Sequence, residues 1–201
     1  MRYICVYCGS QTGTDMRYRQ AAMIMGQLLA KQGYGLVYGG GHVGLMGIIA
    51  EAVLEAGGSV IGVIPEAMVG RELAYKEVTQ LEIVPTMHER KARMASLSDA
   101  FIAMPGGYGT LEELFEIITW AQLGIHAKPI GILNVAGYFD ALAAMIDRAV
   151  QDGFIRAQYR HFWILRSEPA ALLDALWQHD MPPVRPWQGS AQREGDLSDL
   201  V

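Results

Sequence analysis

Short runs rich in valine and isoleucine alternate with segments of helical spacing along nearly the whole chain, and this alternation restricts the possible folds most strongly. The runs cover residues 3–6, 35–38, 60–64, 81–84, 100–104 and 130–135. Apolar runs of this length are typical of strands that are buried on both faces. Their alternation with helices predicts an α/β fold, a Rossmann-like open parallel sheet with helices on both faces.

The length of the chain predicts one folded domain. Its 201 residues match the size of a single domain, and 51% of them are hydrophobic, which is enough for a sizeable core. A last helix is expected from about residue 168 to residue 179, and the prolines and glycines that follow it break every periodicity. We therefore predict a single domain over residues 1–180 and a flexible tail over residues 181–201.

Charge and hydropathy argue against two classes of partner. Lysine and arginine total 16 against 21 acidic residues, so the net charge is -5, and no basic stretch offers a surface for nucleic acid. No apolar run approaches the roughly 20 residues that a membrane helix needs, and a strand pattern begins at Tyr3 where a signal peptide would show its apolar region. We expect a cytoplasmic protein that binds neither nucleic acid nor a membrane.

Cys5 and Cys8 form a C-x-x-C pair, which is found in redox proteins and as half of a zinc site. A redox pair places its first cysteine at a helix N-terminus, whereas Cys5 lies within a strand pattern. The chain has no further cysteine that could complete a set of four zinc ligands. We expect two small buried residues at the end of a strand, and no metal site.

The first glycine loop, residues 39–47, follows the second predicted strand. Gly39, Gly41 and Gly44 satisfy G-x-G-x-x-G, and Glu66 could bind a ribose hydroxyl, so the loop is a candidate site for NAD(P). The dinucleotide motif normally follows the first strand, however. Contact of bare backbone amides with a phosphate or ribose, or close packing of a helix on a strand, explains these glycines equally well.

The second glycine loop, residues 105–113, reads P-G-G-Y-G-T-L-E-E. It joins the strand pattern of residues 100–104 to an apolar helix, so its bare amides and the helix N-terminus can hold a monophosphate. Thr110 and Glu113 also have the T-x-x-E spacing of a capping box, which would give Glu113 a purely structural role. Spacing alone leaves both roles of Glu113 open.

Arg90 falls on an apolar helical stripe together with Met87, Met94 and Leu97. Burial of an unpaired guanidinium is costly, so Arg90 requires either a carboxylate partner or a position in a polar cleft. Its neighbour Lys91 is one of four lysines in the chain, and a solvated surface position explains it equally well.

Taken together, Arg90-Lys91 and the second glycine loop resemble the R-K and P-G-G-x-G-T-x-x-E motifs of the Lonely Guy family. Members of that family are cytokinin riboside 5'-monophosphate phosphoribohydrolases, often labelled lysine decarboxylase-like. The resemblance extends over about residues 2–179 and includes Cys8-Gly9-Ser10, the first glycine loop and residues 117–124. The joint motif is far more specific than either glycine loop alone.

The resemblance implies a reaction and a set of site residues. The reaction is hydrolysis of the N-glycosidic bond of adenine-type, N6-substituted nucleoside 5'-monophosphates to free base and ribose 5-phosphate, with no cofactor and no metal. Arg90 and Glu113 are implied as the catalytic pair. The implied substrate contacts are Gly9, Ser10, Glu72, Lys91, Gly107, Tyr108, Gly109, Thr110, Leu111, Glu112 and Thr119.

Other functions stay open at the level of sequence. A nucleotide-binding sensor of the same fold would not need the pair of Arg90 and Glu113, and a nucleosidase that prefers AMP would share the whole site. An amino-acid decarboxylase would need pyridoxal phosphate bound to a lysine. None of the four lysines lies in a recognisable cofactor motif.

The helix that begins near Leu111 predicts self-association. Its apolar side chains point in nearly every direction and leave a narrow polar arc at Glu112, Glu116 and Thr119. Neighbouring helices of the same chain could bury the apolar side chains that the sheet does not cover. Burial against a second copy related by two-fold symmetry is the simpler explanation. The family resemblance also implies a homodimer, with sites near the subunit boundary.

Overall fold

The computed structural model describes residues 1–70 and 74–184 of the chain. Glu72, predicted as a substrate contact, and residues 185–201 of the predicted tail lie outside the described residues. Met181 and Val184, at the start of that tail, pack against the core. None of the described helices is long and apolar enough to cross a membrane.

One parallel sheet of seven strands organises the described part of the chain. The strands are β1 (Arg2–Tyr7), β2 (Tyr34–Tyr38), β3 (Val60–Pro65), β4 (Gln80–Val84), β5 (Ala100–Ala103), β6 (Ile130–Leu133) and β7 (Trp163–Arg166). The α-helices are α1 (Met16–Lys31), α2 (Gly44–Glu55), α3 (Met87–Leu97), α4 (Tyr108–Gln122), α5 (Asp140–Gln151) and α6 (Pro169–Gln178). The strand order is β4-β3-β2-β1-β5-β6-β7, so the predicted Rossmann-like α/β fold is confirmed.

The sheet departs from the sequence-based expectation in one strand. The predicted apolar runs do not include β7, an edge strand that ends on an exposed arginine. Two predicted strands also run slightly too far, since β5 ends at Ala103 and β6 at Leu133. The residues that follow these two strands belong to loops at the carboxyl edge of the sheet.

Alternate residues of each strand face two separate hydrophobic layers. On β1, Ile4 and Val6 face the layer that contains α1, α2 and α6. Cys5 and Tyr7 face the opposite layer, which contains α3 and α4. This burial on both faces is the physical reason why the strands are apolar throughout.

Cys5 and Cys8 are free, buried thiols, as the sequence predicts. Burial raises the pKa of both thiols far above its ordinary range, and the negative charge of Glu113 raises it further. A protonated thiol is a poor nucleophile, so these cysteines contribute packing rather than covalent chemistry.

The strand order reverses at β1. Strands β2 to β4 are added on one side of β1, and β5 to β7 are added on its other side. Ligands of open α/β sheets bind in the crevice that such a reversal leaves at the carboxyl edge. Gly9 joins the loops there: its N–H donates to the carbonyl of Pro105 at 3.0 Å, and its own carbonyl accepts from the N–H of Leu45 at 2.9 Å. The fold therefore places three loops around one crevice.

Candidate active site

A cavity of about 170 Å³ opens at this crevice. Its walls come from the loop after β1, from α2 and α3, and from the second glycine loop with the start of α4. The lining residues are Cys8, Ser10, Met46, Arg90, Gly107, Tyr108, Gly109, Thr110 and Glu113. Arg90 and Glu113, the residues that the family resemblance implies as catalytic, thus meet in one place.

A larger cavity of about 250 Å³ lies between the end of α4 and residues 181–184, but its walls are mostly apolar. Its one titratable lining residue is His126. Both ring nitrogens of His126 have partners, the carbonyl of Ile117 at 2.9 Å and the N–H of Lys128 at 3.1 Å, and burial lowers the pKa of the ring. The smaller cavity therefore holds the reactive groups.

Arg90 lies at the centre of the smaller cavity's wall. Its Nε donates to the carbonyl of Val63 at 3.0 Å, and Nη2 donates to the carbonyl of Gly39 at 3.2 Å. Its Nη1 donates to Oε1 of Glu113 at 3.2 Å. Because Arg90 is only 7% exposed, these partners replace the water that burial removes. The predicted need of Arg90 for a partner is confirmed.

The start of α3 sets the position of Arg90. Thr86 is extended and its hydroxyl accepts from the N–H of Glu89 at 3.2 Å, while the Glu89 carboxylate accepts from the N–H of Thr86 at 3.1 Å. This capping box fixes the first turn of the helix. Arg90 is the residue that follows the box, so its direction toward the sheet is fixed as well.

Glu113 extends from α4 toward Arg90, and its side chain is 11% exposed. The capping-box alternative for Glu113 is wrong. The structure begins α4 at Tyr108 with Gly107 as its cap, so Thr110 and Glu113 both lie inside the helix. Thr110 is buried instead, and its Oγ1 occupies the space beside Gly106 where a Cβ would lie.

The N-terminus of α4 presents backbone N–H groups with no side chain over them. The first N–H groups of any helix have no partner within the helix, and Gly107 supplies no side-chain cap. At both Gly107 and Gly109, no atom of the described residues lies within 4 Å of the place a Cβ would occupy, and both residues line the cavity. Unpaired amides and the helix dipole favour an anion in this space.

The glycines of the first glycine loop serve close packing. A Cβ on Gly39 would lie 2.0 Å from Nη2 of Arg90, and one on Gly44 would lie 2.2 Å from the carbonyl carbon of Ser10. The N–H of Leu45 at the start of α2 is bonded to a carbonyl rather than directed at open space. This loop therefore makes room for neighbouring protein groups, and the NAD(P) interpretation loses its support.

Lys91 follows Arg90 in sequence but contacts different partners. Its Nζ donates to Oε1 of Glu112 at 2.5 Å and to Oε1 of Glu116 at 3.0 Å, which joins α3 to α4. Burial lowers the pKa of Lys91, but the hydrogen bonds with the two carboxylates more than offset this, so its pKa lies above the usual value. Lys91 does not line the cavity.

The structure brings some of the predicted contact residues to the cavity and leaves others outside it. Ser10 and residues 107–110 line it. Gly9 is buried under it, and Leu111 packs toward the core. Thr119 is exposed and six residues beyond Glu113, about 9 Å along the helix axis, and its hydroxyl donates to the carbonyl of Phe115 at 2.7 Å.

Two lining residues, Cys8 and Met46, are not among the predicted contacts. Cys8 could have been found, because it precedes the predicted contacts Gly9 and Ser10 at the end of the first strand. Met46 gives no such signal, since one apolar residue in an apolar helix does not reveal which neighbour it faces.

The reversal of strand order, the crevice above it and the uncapped helix N-terminus define a Rossmann-like α/β protein with a ligand cleft at the switch point of its sheet. Solved structures share this fold. The molybdenum cofactor binding protein from Rippkaea orientalis superimposes with a TM-score of 0.68 at 22% identity, over 88% of this chain and 96% of that one. At this identity the similarity concerns the fold alone.

The chain belongs to the family described as possible lysine decarboxylase, whose model matches residues 46–176. The probable cytokinin riboside 5'-monophosphate phosphoribohydrolase LOGL9 of Oryza sativa subsp. japonica is 52% identical over 178 residues, 89% of this chain and 78% of that protein. The cytokinin riboside 5'-monophosphate phosphoribohydrolase LOG1 of Arabidopsis thaliana is 54% identical over 168 residues, 84% of this chain and 78% of that one. The resemblance carried by the two motifs is confirmed.

Gly39→Ala should destabilise the protein by about 3 kcal/mol, because the added methyl group displaces the guanidinium of Arg90 and leaves Glu113 buried without its cation. Chemical denaturation measures the loss. Gly70→Ala is the control, since no atom of residues 1–70 and 74–184 lies within 4 Å of a Cβ at Gly70. In an Arg90→Met background, Gly39→Ala should lower the free energy of unfolding much less. An equal loss of stability in both backgrounds would show that Gly39 acts independently of Arg90.

Proposed function

We propose that this protein hydrolyses the N-glycosidic bond of adenine-type nucleoside 5'-monophosphates with an N6 substituent, as in cytokinin ribosides, and releases the free base and ribose 5-phosphate. The observation that carries the proposal is the buried pair of Arg90 and Glu113, 3.2 Å apart, in the wall of a cavity that also contains an uncapped helix N-terminus. A protein that only senses nucleotides does not need a buried carboxylate at this point. The rice and Arabidopsis relatives are named for the same reaction.

The 5'-phosphate is proposed to bind at the N-terminus of α4. The N–H groups of residues 107–110 and the partial positive charge of the helix end favour a phosphate there. Glu113 lies little more than one turn further along the helix, so the ribose joined to this phosphate lies within its reach. Binding energy from the phosphate then supports the transition state, and a nucleoside without phosphate should be a poor substrate.

Cleavage of an N-glycosidic bond passes through a ribose with oxocarbenium character. Water adds to C1', the bond from C1' to the base breaks, and the electron pair leaves with the base, which takes up a proton. The carboxylate of Glu113 can stabilise the positive ribose, hold its hydroxyls or orient the water. Arg90 keeps this carboxylate in place and can neutralise charge on the phosphate or on the departing base.

The remaining proposed substrate contacts act from the edges of the site. They are Gly9, Ser10, Glu72, Lys91, Leu111, Glu112 and Thr119. Ser10 is exposed at the cavity, which suits a direct contact. Lys91 and Glu112 are bonded to each other, and the third N–H of the Lys91 ammonium can donate to a nucleotide. Thr119 is exposed on α4, and we propose that it contacts the nucleotide at a site near the subunit boundary.

The family description raises amino-acid decarboxylation as a second candidate. That reaction needs a lysine that can form a Schiff base with pyridoxal phosphate in the cleft. The described wall of the cavity contains no lysine. Lys91 is held by two carboxylates, and Lys128 donates to the carbonyl of Ala95. The side chains that surround the cavity therefore fit hydrolysis and not decarboxylation.

A cytoplasmic location is also proposed. The two cysteines of the chain are free thiols, which suits a reducing compartment. The substrate assigned here is a single nucleotide, and the net charge of -5 gives no support for binding of a nucleic acid.

Purified protein should release free base from AMP or from its N6-isopentenyl analogue, and chromatography of the products shows which substrate is preferred. Glu113→Gln keeps the shape of the side chain and removes its charge, so it should lower turnover about 100-fold or more while stability changes by about 1 kcal/mol. If no adenine-type monophosphate releases free base, the hydrolase proposal is wrong and the nucleotide-binding sensor is the function that remains. Near-normal turnover of Glu113→Gln would remove Glu113 from the chemistry.

Gly109→Ala should separate phosphate binding from folding. Alanine is the better helix former by up to about 1 kcal/mol, so the melting temperature should stay the same or rise. Its methyl group enters the open space at Gly109, so KM for AMP should rise about tenfold or more. Gln122→Ala, exposed at the other end of α4, is the control. An unchanged KM would show that the phosphate binds elsewhere.

We further propose that the working unit is a homodimer built on α4. Several large apolar residues of this helix are only partly buried in one chain: Leu111, Phe115, Ile118, Trp120 and Leu123. Phe115 lies outside both core layers formed by the described residues. A second copy seated on this surface would bury it and would lie close to Glu113.

Light scattering at micromolar concentration should give a mass of about twice 22.1 kDa. Phe115→Asp should reduce both the mass and the activity, because it places a charge in the proposed interface. The control is Phe154→Asp, since Phe154 is already 86% exposed beyond the end of α5. A mass near that of one chain, with activity that does not change on dilution, would rule out the dimer as the working unit.

A further inference from the structure

The second glycine loop is also held by a side chain that the proposed reaction does not use. Tyr138, between β6 and α5, donates its hydroxyl hydrogen to the carbonyl of Gly106 at 2.5 Å. In the sheet, β6 lies on one side of β5 and β1 lies on the other. Tyr138 thus contacts the loop from the β6 side, whereas the cavity opens toward the loop after β1.

This contact determines where the next N–H points. The bond between Gly106 and Gly107 is trans, as are all described peptide bonds, and a trans peptide directs its C=O and N–H to opposite sides. A Gly106 carbonyl directed at Tyr138 therefore turns the Gly107 N–H away from Tyr138, and Gly107 itself lines the cavity. The reverse orientation would turn a carbonyl oxygen toward a bound anion.

Two consecutive glycines do not fix this orientation by themselves. Glycine occupies more of backbone conformational space than any other residue, so rotation of the peptide between Gly106 and Gly107 is restricted only by what surrounds it. The Thr110 side chain and the backbone of Gly9 fill the space beside the Cα of Gly106. The hydroxyl of Tyr138 is the group that holds the carbonyl oxygen.

The turn that carries Tyr138 is strained and firmly held. Ala136 has a φ of 55°, a left-handed conformation that alanine rarely adopts. The Asn134 side chain closes the turn, because its Nδ2 donates to Asp140 at 2.7 Å and its Oδ1 accepts from the N–H of Phe139 at 2.7 Å. Strain that persists because surrounding bonds enforce it is concentrated at functional positions.

We propose that Tyr138 is a positioning residue for phosphate recognition, whose hydroxyl orients the peptide between Gly106 and Gly107 so that the Gly107 N–H is directed at the 5'-phosphate. The inference rests on the proposed function, in which a monophosphate binds at the N-terminus of α4. Tyr138 does not line the cavity and acts through the backbone. Its effect is therefore confined to ligands that carry a phosphate.

Tyr138→Phe tests the proposal, because it removes the hydroxyl and keeps the ring, which packs edge-on against Tyr18 and Phe139. In calorimetry, the dissociation constant of AMP should be about fivefold higher for Tyr138→Phe than for the wild type, which is the effect of one hydrogen bond. The dissociation constant of adenosine should be the same for both proteins. The melting temperature should change little. Tyr18→Phe, which removes a neighbouring hydroxyl, is the matched control and should leave both constants unchanged.

A second measurement follows the backbone directly. In isotope-labelled protein, the amide resonance of Gly107 should shift on addition of AMP, and Tyr138→Phe should lose most of this shift. The role of Tyr138 would be overturned if Tyr138→Phe left the dissociation constant of AMP unchanged, or if it weakened the binding of AMP and adenosine equally. A wild-type protein that binds neither AMP nor its N6-isopentenyl analogue would overturn it as well. A wild-type protein that binds AMP without cleaving it would end the hydrolase proposal alone.

Discussion

One buried guanidinium joins the segments that must meet for the cavity to exist. Arg90 binds carbonyl groups at the ends of β2 and β3 together with the carboxylate of Glu113 on α4, and these partners are 51, 27 and 23 residues away from it in sequence. The planar fork of a guanidinium spreads its N–H donors over three nitrogen atoms and reaches these three acceptors at once, whereas all the donors of a lysine lie on one nitrogen. The geometry of the sheet edge and that of the Glu113 carboxylate therefore depend on the same group.

This dependence explains a misleading feature of the sequence. The first glycine loop satisfies a dinucleotide fingerprint, but Gly39 lacks a side chain because Nη2 of Arg90 occupies the space where a Cβ would lie. A glycine pattern records where the backbone is closely approached, and it does not say whether a ligand or another part of the protein approaches. In this protein the second glycine loop faces open space at Gly107 and Gly109, and the first one faces protein.

Periodicity predicts most of the fold because both faces of the sheet are buried, and it misses β7, an edge strand in which only Trp163 is fully buried. The cost of a buried charge predicts that Arg90 needs a partner, but not which one. Thr86 and Glu89 have the same T-x-x-E spacing as Thr110 and Glu113, yet only the first pair forms a capping box. The difference lies in which residue takes the cap position, and this depends on contacts between segments far apart in sequence.

The uncapped N-terminus of α4 has an evolutionary consequence. Because backbone amides are present whatever the side chains are, loss of a side chain that lines the cleft does not remove these donors, although added bulk can cover them and loss of the Tyr138 hydroxyl can turn one of them away. The same amides carry no information about the base at the far end of a nucleotide. If the proposed phosphate site is correct, preference for one base over another can diverge among members of the family through changes elsewhere in the cleft, while the backbone donors for the phosphate persist.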